Sequence, residues 1–149
     1  LFGGIIAPFN AWLILRGLRT LKLRLDATEV RARAVHAFLK DRPEMAEVYY
    51  CGAEDFAQRD LYEQQFKGTG GLLSFLPKTQ DRAKLNAFLQ SLQVFRMGVS
   101  WGGHESLAVH YPACTLDMPT PQSVIRLYCG LEDPRDLIAD LEQALVKLH

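Results

Sequence analysis

From residue 9 to residue 40 the chain runs without a proline, and Leu18, Leu21, Leu25, Thr28, Ala32, Val35 and Leu39 recur at alternating spacings of three and four. Residues so spaced share one face of an α-helix. Arginine and lysine fill much of the remaining surface. Pro43 ends the pattern, because proline has no backbone N–H to donate and restricts the residue before it. Gly17 weakens the run locally, so a bend or a break is expected there. The period would also serve a coiled coil or a bundle, but Thr28 and Ala32 make a poor apolar seam. A helix packed on a sheet is the better reading.

Downstream the period shortens and lengthens by turns. Residues 46–50 suit a pleated surface, and Cys51 with Gly52 closes that strand. Residues 55–66 read as a polar helix. Glycines at 68, 70 and 71 break the chain ahead of an apolar strand at 72–76. The helical period returns from Thr79 or Gln80 to Leu92 through Ala83, Phe88 and Leu89, and residues 94–99 form a third strand candidate. Residues 111–121 hold three prolines and read as a loop. The strand at 123–129 then sets Val124, Arg126 and Tyr128 on one face. Asp133, Pro134 and Asp136 form a helix start, with an N-cap acid, proline in the first turn and a further acid near the positive end of the dipole. Leu137, Leu141, Leu145 and Leu148 are the buried stripe of that helix. This alternation predicts an α+β sandwich: one mostly antiparallel sheet with helices covering one face.

With 149 residues, 48% of them hydrophobic, the chain can bury a core of ordinary single-domain size. Seventeen basic and seventeen acidic residues balance to zero, which argues against a nucleic-acid footprint or a polybasic membrane surface and favours a small-molecule or protein ligand. Cys51, Cys114 and Cys129 are an odd, scattered set, which fits reduced thiols and a cytoplasmic location. Together with His104 and His110 they lack zinc-ligand spacing, so no metal is expected. The apolar start, residues 1–7, has no basic lead and is too short to span a bilayer, so it reads as an internal piece of a larger protein. Trp12, Phe88 and Phe95 are expected in the core and His36 in solvent. Lys22, Lys40, Lys67, Lys78, Lys84 and Lys147 are expected to be solvated.

Two features carry candidate chemistry. Gly98-Val99-Ser100-Trp101-Gly102-Gly103-His104-Glu105-Ser106 follows an apolar strand, and such a turn can present Ser100 and backbone amides to a ligand. Its first five residues also satisfy the nucleophile-elbow pattern G-x-S-x-G. A serine hydrolase built on Ser100 would need Asp133 or Asp140 and then His149, a histidine poorly placed beyond a helix. The second feature is Arg126, in an otherwise apolar strand. Buried, its guanidinium would need an anion, for which a substrate carboxylate held by the two-pronged fork is the natural choice. On the solvent face of an antiparallel strand it would be an ordinary exposed arginine, and spacing alone leaves both readings open.

Ser100-Trp101-Gly102-Gly103-His104-Glu105-Ser106-Leu107 resembles the S-x-G-x-x-E-[ST] segment of the cystathionine synthase, cystathionine lyase and methionine gamma-lyase family, and its SWGG form resembles cystathionine beta-lyases in particular. Pro8-Phe9-Asn10-Ala11-Trp12 followed by Arg16-Gly17-Leu18-Arg19-Thr20-Leu21 and Arg24 is similar to the family's P-F-[DN]-A-[WY]…R-G-[LM]-[KR]-T-L…R run. Residues 68–75 resemble its G-x-G-G-[LM]-x-S-F strand. Ile125-Arg126-Leu127, Gly130-Leu131-Glu132-Asp133 and residues 136–141 resemble its R-L-x-x-G-[IL]-E…D-L-I-x-D-L ending. The blocks occur in family order along essentially the whole chain.

The resemblance implies a pyridoxal-phosphate lyase acting on an amino-acid substrate such as cystathionine. It implies that Arg126 binds the substrate α-carboxylate, with Ser100 and Trp101 helping to hold it, and that Glu105 and Ser106 stabilise the turn and a following helix. Residues 1–40 would be the tail of the large cofactor domain with a long connecting helix, and 41–149 the C-terminal small domain. The loop 109–121 lacks the serine, methionine, threonine and histidine run of many gamma-specific members, which is compatible with a beta-lyase. The Schiff-base lysine of the family lies in an S-x-T-K segment upstream of the P-F-x-A-[WY] run, and that segment is absent here. The chain is therefore expected to need a missing N-terminal cofactor domain, in a parent that assembles as a homotetramer, and to be silent alone. A non-catalytic binding or regulatory domain derived from the family is the alternative.

Overall fold

The computed structural model describes residues 3–114 and 121–149. The first helical run is two helices, α1 (Pro8–Leu18) and α2 (Leu21–Leu39). The joint between them explains the R-G-L-R-T-L…R run. Where the helix stops, the Gly17 carbonyl accepts from the Thr20 amide at 3.3 Å, the Thr20 hydroxyl at 3.3 Å and Arg24 Nη2 at 3.1 Å. These donors replace the intrahelical bonds lost at a helix end.

Five strands follow: β1 (Met45–Tyr49), β2 (Leu72–Pro77), β3 (Arg96–Met97), β4 (Leu107–Cys114) and β5 (Gln122–Tyr128). They form one sheet in the order β1-β2-β5-β4-β3, antiparallel throughout except for the β3–β4 pair. Helices α3 (Arg59–Gln65), α4 (Arg82–Ser91) and α5 (Pro134–Leu145) lie between or after them, and a 3-10 turn, Val146–Leu148, follows α5. Leu73 and Phe75 of β2, Ala108 of β4 and Ile125 and Leu127 of β5 belong to one core cluster with Val35, Leu39, Leu85, Phe88, Leu137, Leu141 and Leu145 from α2, α4 and α5. Because side chains alternate along a strand, the opposite face carries Ser74, Arg126 and Val109 in register. The α+β sandwich holds, and Arg126 lies on the sheet face opposite the one that joins the core cluster.

Several expectations change. Residues 111–114 are strand, not loop. Leu107, Val109 and Tyr111 alternate with Ala108 and His110, and Pro112 falls where the β4–β5 register shifts, a bulge that tolerates a missing donor. The remainder of that expected loop, 115–120, lies outside the described residues. The third strand shrinks to two residues, Arg96 and Met97, because the amides before it are bonded elsewhere. Thr28, Ala32, Val35 and Leu39 are buried as the helical period requires, but Leu18, Leu21 and Leu25 on the same stripe are exposed. Phe88 and Phe95 are core, whereas Trp12 is 54% exposed. His36 is not free in solvent. It packs on the Tyr50 ring at 5.3 Å, and burial holds its pKa below the ordinary histidine value.

Gly71, next to Gly70 with φ +62°, shows why glycines precede β2. The Cys129 amide donates to its carbonyl at 2.8 Å, and a Cβ at this position would collide with the Cys129 carbonyl and the Tyr128 ring. Gly71→Ala is expected to destabilise the fold by about 1–3 kcal/mol, the usual range for overpacking, read as a lower midpoint in denaturant unfolding.

Burial pushes the Cys129 thiol up to about 12, so it stays protonated and inert. Among the described residues no cluster of metal-ligating side chains forms, and no helix is long and apolar enough to cross a membrane.

Candidate functional site

The loop between β3 and β4, residues 98–106, is pinned at both feet by carboxylates from the C-terminal part of the chain. On the incoming side, buried Asp140 of α5 accepts three amides: Oδ1 from Gln93 at 2.8 Å, and Oδ2 from Val94 at 2.8 Å and Phe95 at 2.9 Å. This occupies the amide donors just before β3.

On the outgoing side, Ser106 is fully buried. Its amide donates to Glu132 Oε1 at 2.9 Å and its hydroxyl to Glu132 Oε2 at 2.7 Å, while the same hydroxyl accepts from the Gly130 amide at 2.7 Å. The Leu131 amide donates to the His104 carbonyl at 2.8 Å, and Arg31 of α2 donates to the carbonyls of Leu131 and Glu132. Burial raises the Glu132 pKa, but the bonds from Ser106 outweigh that and leave it below the ordinary 4.5. Ser106 is thus structural, as the resemblance implies. The element it starts is strand β4, not a helix, and Glu105 is exposed.

Between these feet the loop lies over the sheet face that carries Arg126 and Tyr128. Gly102 has φ +84°, a backbone conformation that favours glycine. The Tyr128 hydroxyl donates to the Gly103 carbonyl at 2.9 Å. Arg126 Nη2 donates to the carbonyls of Val99 at 2.9 Å, Ser100 at 3.1 Å and Gly98 at 3.4 Å. The Tyr111 ring lies against the guanidinium, 5.9 Å from Cζ to ring centroid. Arg126 Nε is buried with no hydrogen-bond partner, Nη1 donates to no described residue, and among the described residues no carboxylate pairs with this cation.

The structure therefore brings Ser100 and Arg126 together, though through the serine's main-chain carbonyl; its side chain stays exposed. Trp101 is 62% exposed and forms one wall of a cleft of about 400 Å³ shared with Lys22, Leu25, Asp26, Lys67 and Tyr128. Tyr111 was hidden in the sequence by the prolines that made its segment look like a loop. Glu132 and Asp140 stand in the motif blocks of the sequence, but nothing there showed that they hold the loop, because their partners lie far away in the chain.

The serine-hydrolase arrangement does not form. The chain beyond Gly102 enters strand β4 and not the helix an elbow requires. Asp140 is spent on three amides, Asp133 accepts from Arg135, and His149 sits 3.4 Å from Glu44.

The decisive comparison is with family models: the one described as Cys/Met metabolism PLP-dependent enzyme matches residues 1–146. This chain belongs to that pyridoxal-phosphate-dependent family. A protein of Rhizobium johnstonii whose name carries a provisional cystathionine beta-lyase assignment is 40% identical over 144 residues, covering 92% of this chain and 36% of the relative. The cystathionine gamma-lyase of Bacillus subtilis is 34% identical over 153 residues, covering 96% of this chain and 40% of the relative. A crystal structure of cystathionine gamma synthase from Xanthomonas oryzae pv. oryzae, in complex with aminoacrylate and cysteine, superposes with a TM-score of 0.83 at 33% identity, covering 95% of this chain and 38% of that one. The chain thus spans less than half the length of these relatives.

The described residues of this Cys/Met family member do not themselves fit the cofactor. Lys22, Lys40, Lys67, Lys78 and Lys147 are exposed, Lys84 is half-buried on α4, and none hydrogen-bonds at Arg126. The N-termini of α4 and α5 are capped by Asp81 and Asp133, which leaves no open cradle for a phosphate there.

Proposed function

We propose that this chain supplies the substrate-carboxylate end of the active site in a pyridoxal-phosphate-dependent lyase of sulfur amino-acid metabolism, cystathionine beta-lyase-like in its SWGG loop. One observation carries the proposal: Arg126 is held by three loop carbonyls, yet among the described residues neither its Nη1 nor its Nε has a hydrogen-bond partner. A guanidinium fixed in this way is pre-organised for a carboxylate, since its position is set before the ligand arrives. In this reading Arg126 receives the carboxylate of cystathionine or a related amino acid. Ser100 orients the arginine through its carbonyl, and Trp101 borders the cleft that takes the rest of the substrate. Anchoring the carboxylate orients the α-carbon, which is the contribution of these residues to reaction choice.

The exposed apolar residues in and just before α1, Ile5, Phe9, Ile14 and Leu15, support a covering partner in the full-length protein. We assign that role to an N-terminal cofactor domain, with residues 1–40 as its tail and connecting helix and 41–149 as the small domain, in a cytoplasmic homotetramer. The test is Arg126→Ala in the full-length protein. Loss of a charge-assisted contact is expected to weaken binding of cystathionine by about ten- to a hundredfold. The visible absorption of the cofactor should be nearly unchanged, and Arg126→Lys should recover only part of the loss, because an ammonium cannot hold the loop carbonyls and a carboxylate in the fixed geometry of the planar guanidinium. Lost absorption with substrate affinity intact would contradict the assignment.

A further inference from the structure

Arg126 offers three distinct surfaces, and the structure uses them differently. Nη2 is taken by the loop carbonyls of Gly98, Val99 and Ser100. Among the described residues nothing hydrogen-bonds Nη1. One flat face is opposed by the Tyr111 ring, with Cζ 5.9 Å from its centroid, inside the range of a cation–π contact.

Tyr111 reaches this position through sheet register. Val109 is the direct partner of Arg126 across the β4–β5 pair, and Tyr111 is the partner of Val124, so Tyr111 is the diagonal neighbour of Arg126 on the same face. Diagonal neighbours stand close enough for an aromatic and a long side chain to meet. The bulge between Tyr111 and Cys114 follows at once, and bulges turn and re-aim the side chains beside them. Tyr111 is 42% exposed, so its ring is not held there by core packing. No carboxylate among the described residues neutralises Arg126.

We infer that Tyr111 is a positioning residue for the carboxylate site: its ring holds the guanidinium plane from the face, so that the Nη1 edge stays aimed at the incoming carboxylate. The two contacts do not compete. A π face attracts the cation perpendicular to its plane, whereas a carboxylate binds in the plane along the N–H bonds. The inference deepens the reading of Arg126 as the carboxylate receptor and rests on it.

The test uses the full-length protein and two probes, L-alanine and L-alaninamide, as competitive inhibitors of cystathionine turnover; they differ in the carboxylate alone. Tyr111→Leu keeps an apolar side chain but removes the π face, and Tyr111→Phe keeps the face. Tyr111→Leu should weaken L-alanine about two- to fivefold, leave L-alaninamide unmoved, and raise KM for cystathionine with kcat retained. Tyr111→Phe should stay within about twofold of the parent protein. If Arg126→Ala weakens L-alanine selectively but Tyr111→Leu does not, the role of Tyr111 is overturned while the carboxylate reading stands. If Tyr111→Leu weakens both probes equally, the residue acts on the site at large and the inference is likewise overturned. If Arg126→Ala leaves L-alanine unaffected, the carboxylate reading itself fails, and the role of Tyr111 with it.

Discussion

Asp140→Ala is expected to cost about 3–5 kcal/mol, because it strands three backbone donors that have no other described acceptor. The amides of Gln93, Val94 and Phe95 all bond this one carboxylate at 2.8–2.9 Å. Asp140 is 5% exposed, so water replaces it poorly. Asp140→Asn keeps the shape and one acceptor oxygen, and should lose roughly half as much. Hydrogen exchange reads the effect locally: protection should collapse first at Val94 and Phe95, and denaturant unfolding should show the lower global stability. Unchanged protection at these amides in Asp140→Ala would falsify the account. The consequence reaches the site, since these residues lead directly into β3 and the loop whose carbonyls hold Arg126.

Glu132→Ala should be the next most damaging change, at about 1.5–3 kcal/mol for the charge-assisted bonds from Ser106. Here pH provides a second check. Glu132 is held below the ordinary 4.5, burial being outweighed by the Ser106 amide and hydroxyl. A carboxylate depressed in the folded state contributes stability that is complete above its unfolded value and lost as pH falls through the folded one. The stability gap between the parent protein and Glu132→Ala should therefore be constant near neutrality and shrink as pH drops below 4.5. A gap that widened on acidification would contradict the sign. Glu132→Gln separates shape from charge: it should show a smaller, pH-insensitive deficit, with the Ser106 and Gly130 amides less protected than in the parent.

These two carboxylates show how the site is built. Arg126 and the loop residues it touches are separated by 26 to 28 positions, and Asp140 and its amides by 45 to 47. Neither distance carries a periodic signal. The motif resemblance drew attention to Ser100 to Leu107 and Ile125 to Leu141, segments that contain Arg126, part of the loop it touches, and the two pinning carboxylates. It implied the carboxylate role of Arg126, which residue spacing left open against an ordinary exposed arginine. The structure adds where Arg126 sits: on the sheet face opposite the core cluster, held by three loop carbonyls and, among the described residues, paired with no carboxylate.

Legible in the amino-acid order alone were the features that depend on neighbours within a few residues. The stripe Thr28, Ala32, Val35, Leu39 is set by helical period. The start of α5 is set by Asp133 and Pro134, and the strand face Val124, Arg126, Tyr128 by alternation. Each is a local arrangement in which a residue's own geometry and that of the next turn suffice. Tertiary structure alone decided what those faces meet. It placed β5 between β2 and β4, turned residues 111–114 into strand around a proline bulge, left Trp12 in the open and His36 against Tyr50, and set Tyr111 beneath Arg126. The physical reason is that strand order, and the buried carboxylates that fix a loop to a distant helix, satisfy backbone groups whose partners are chosen by packing of the whole sheet.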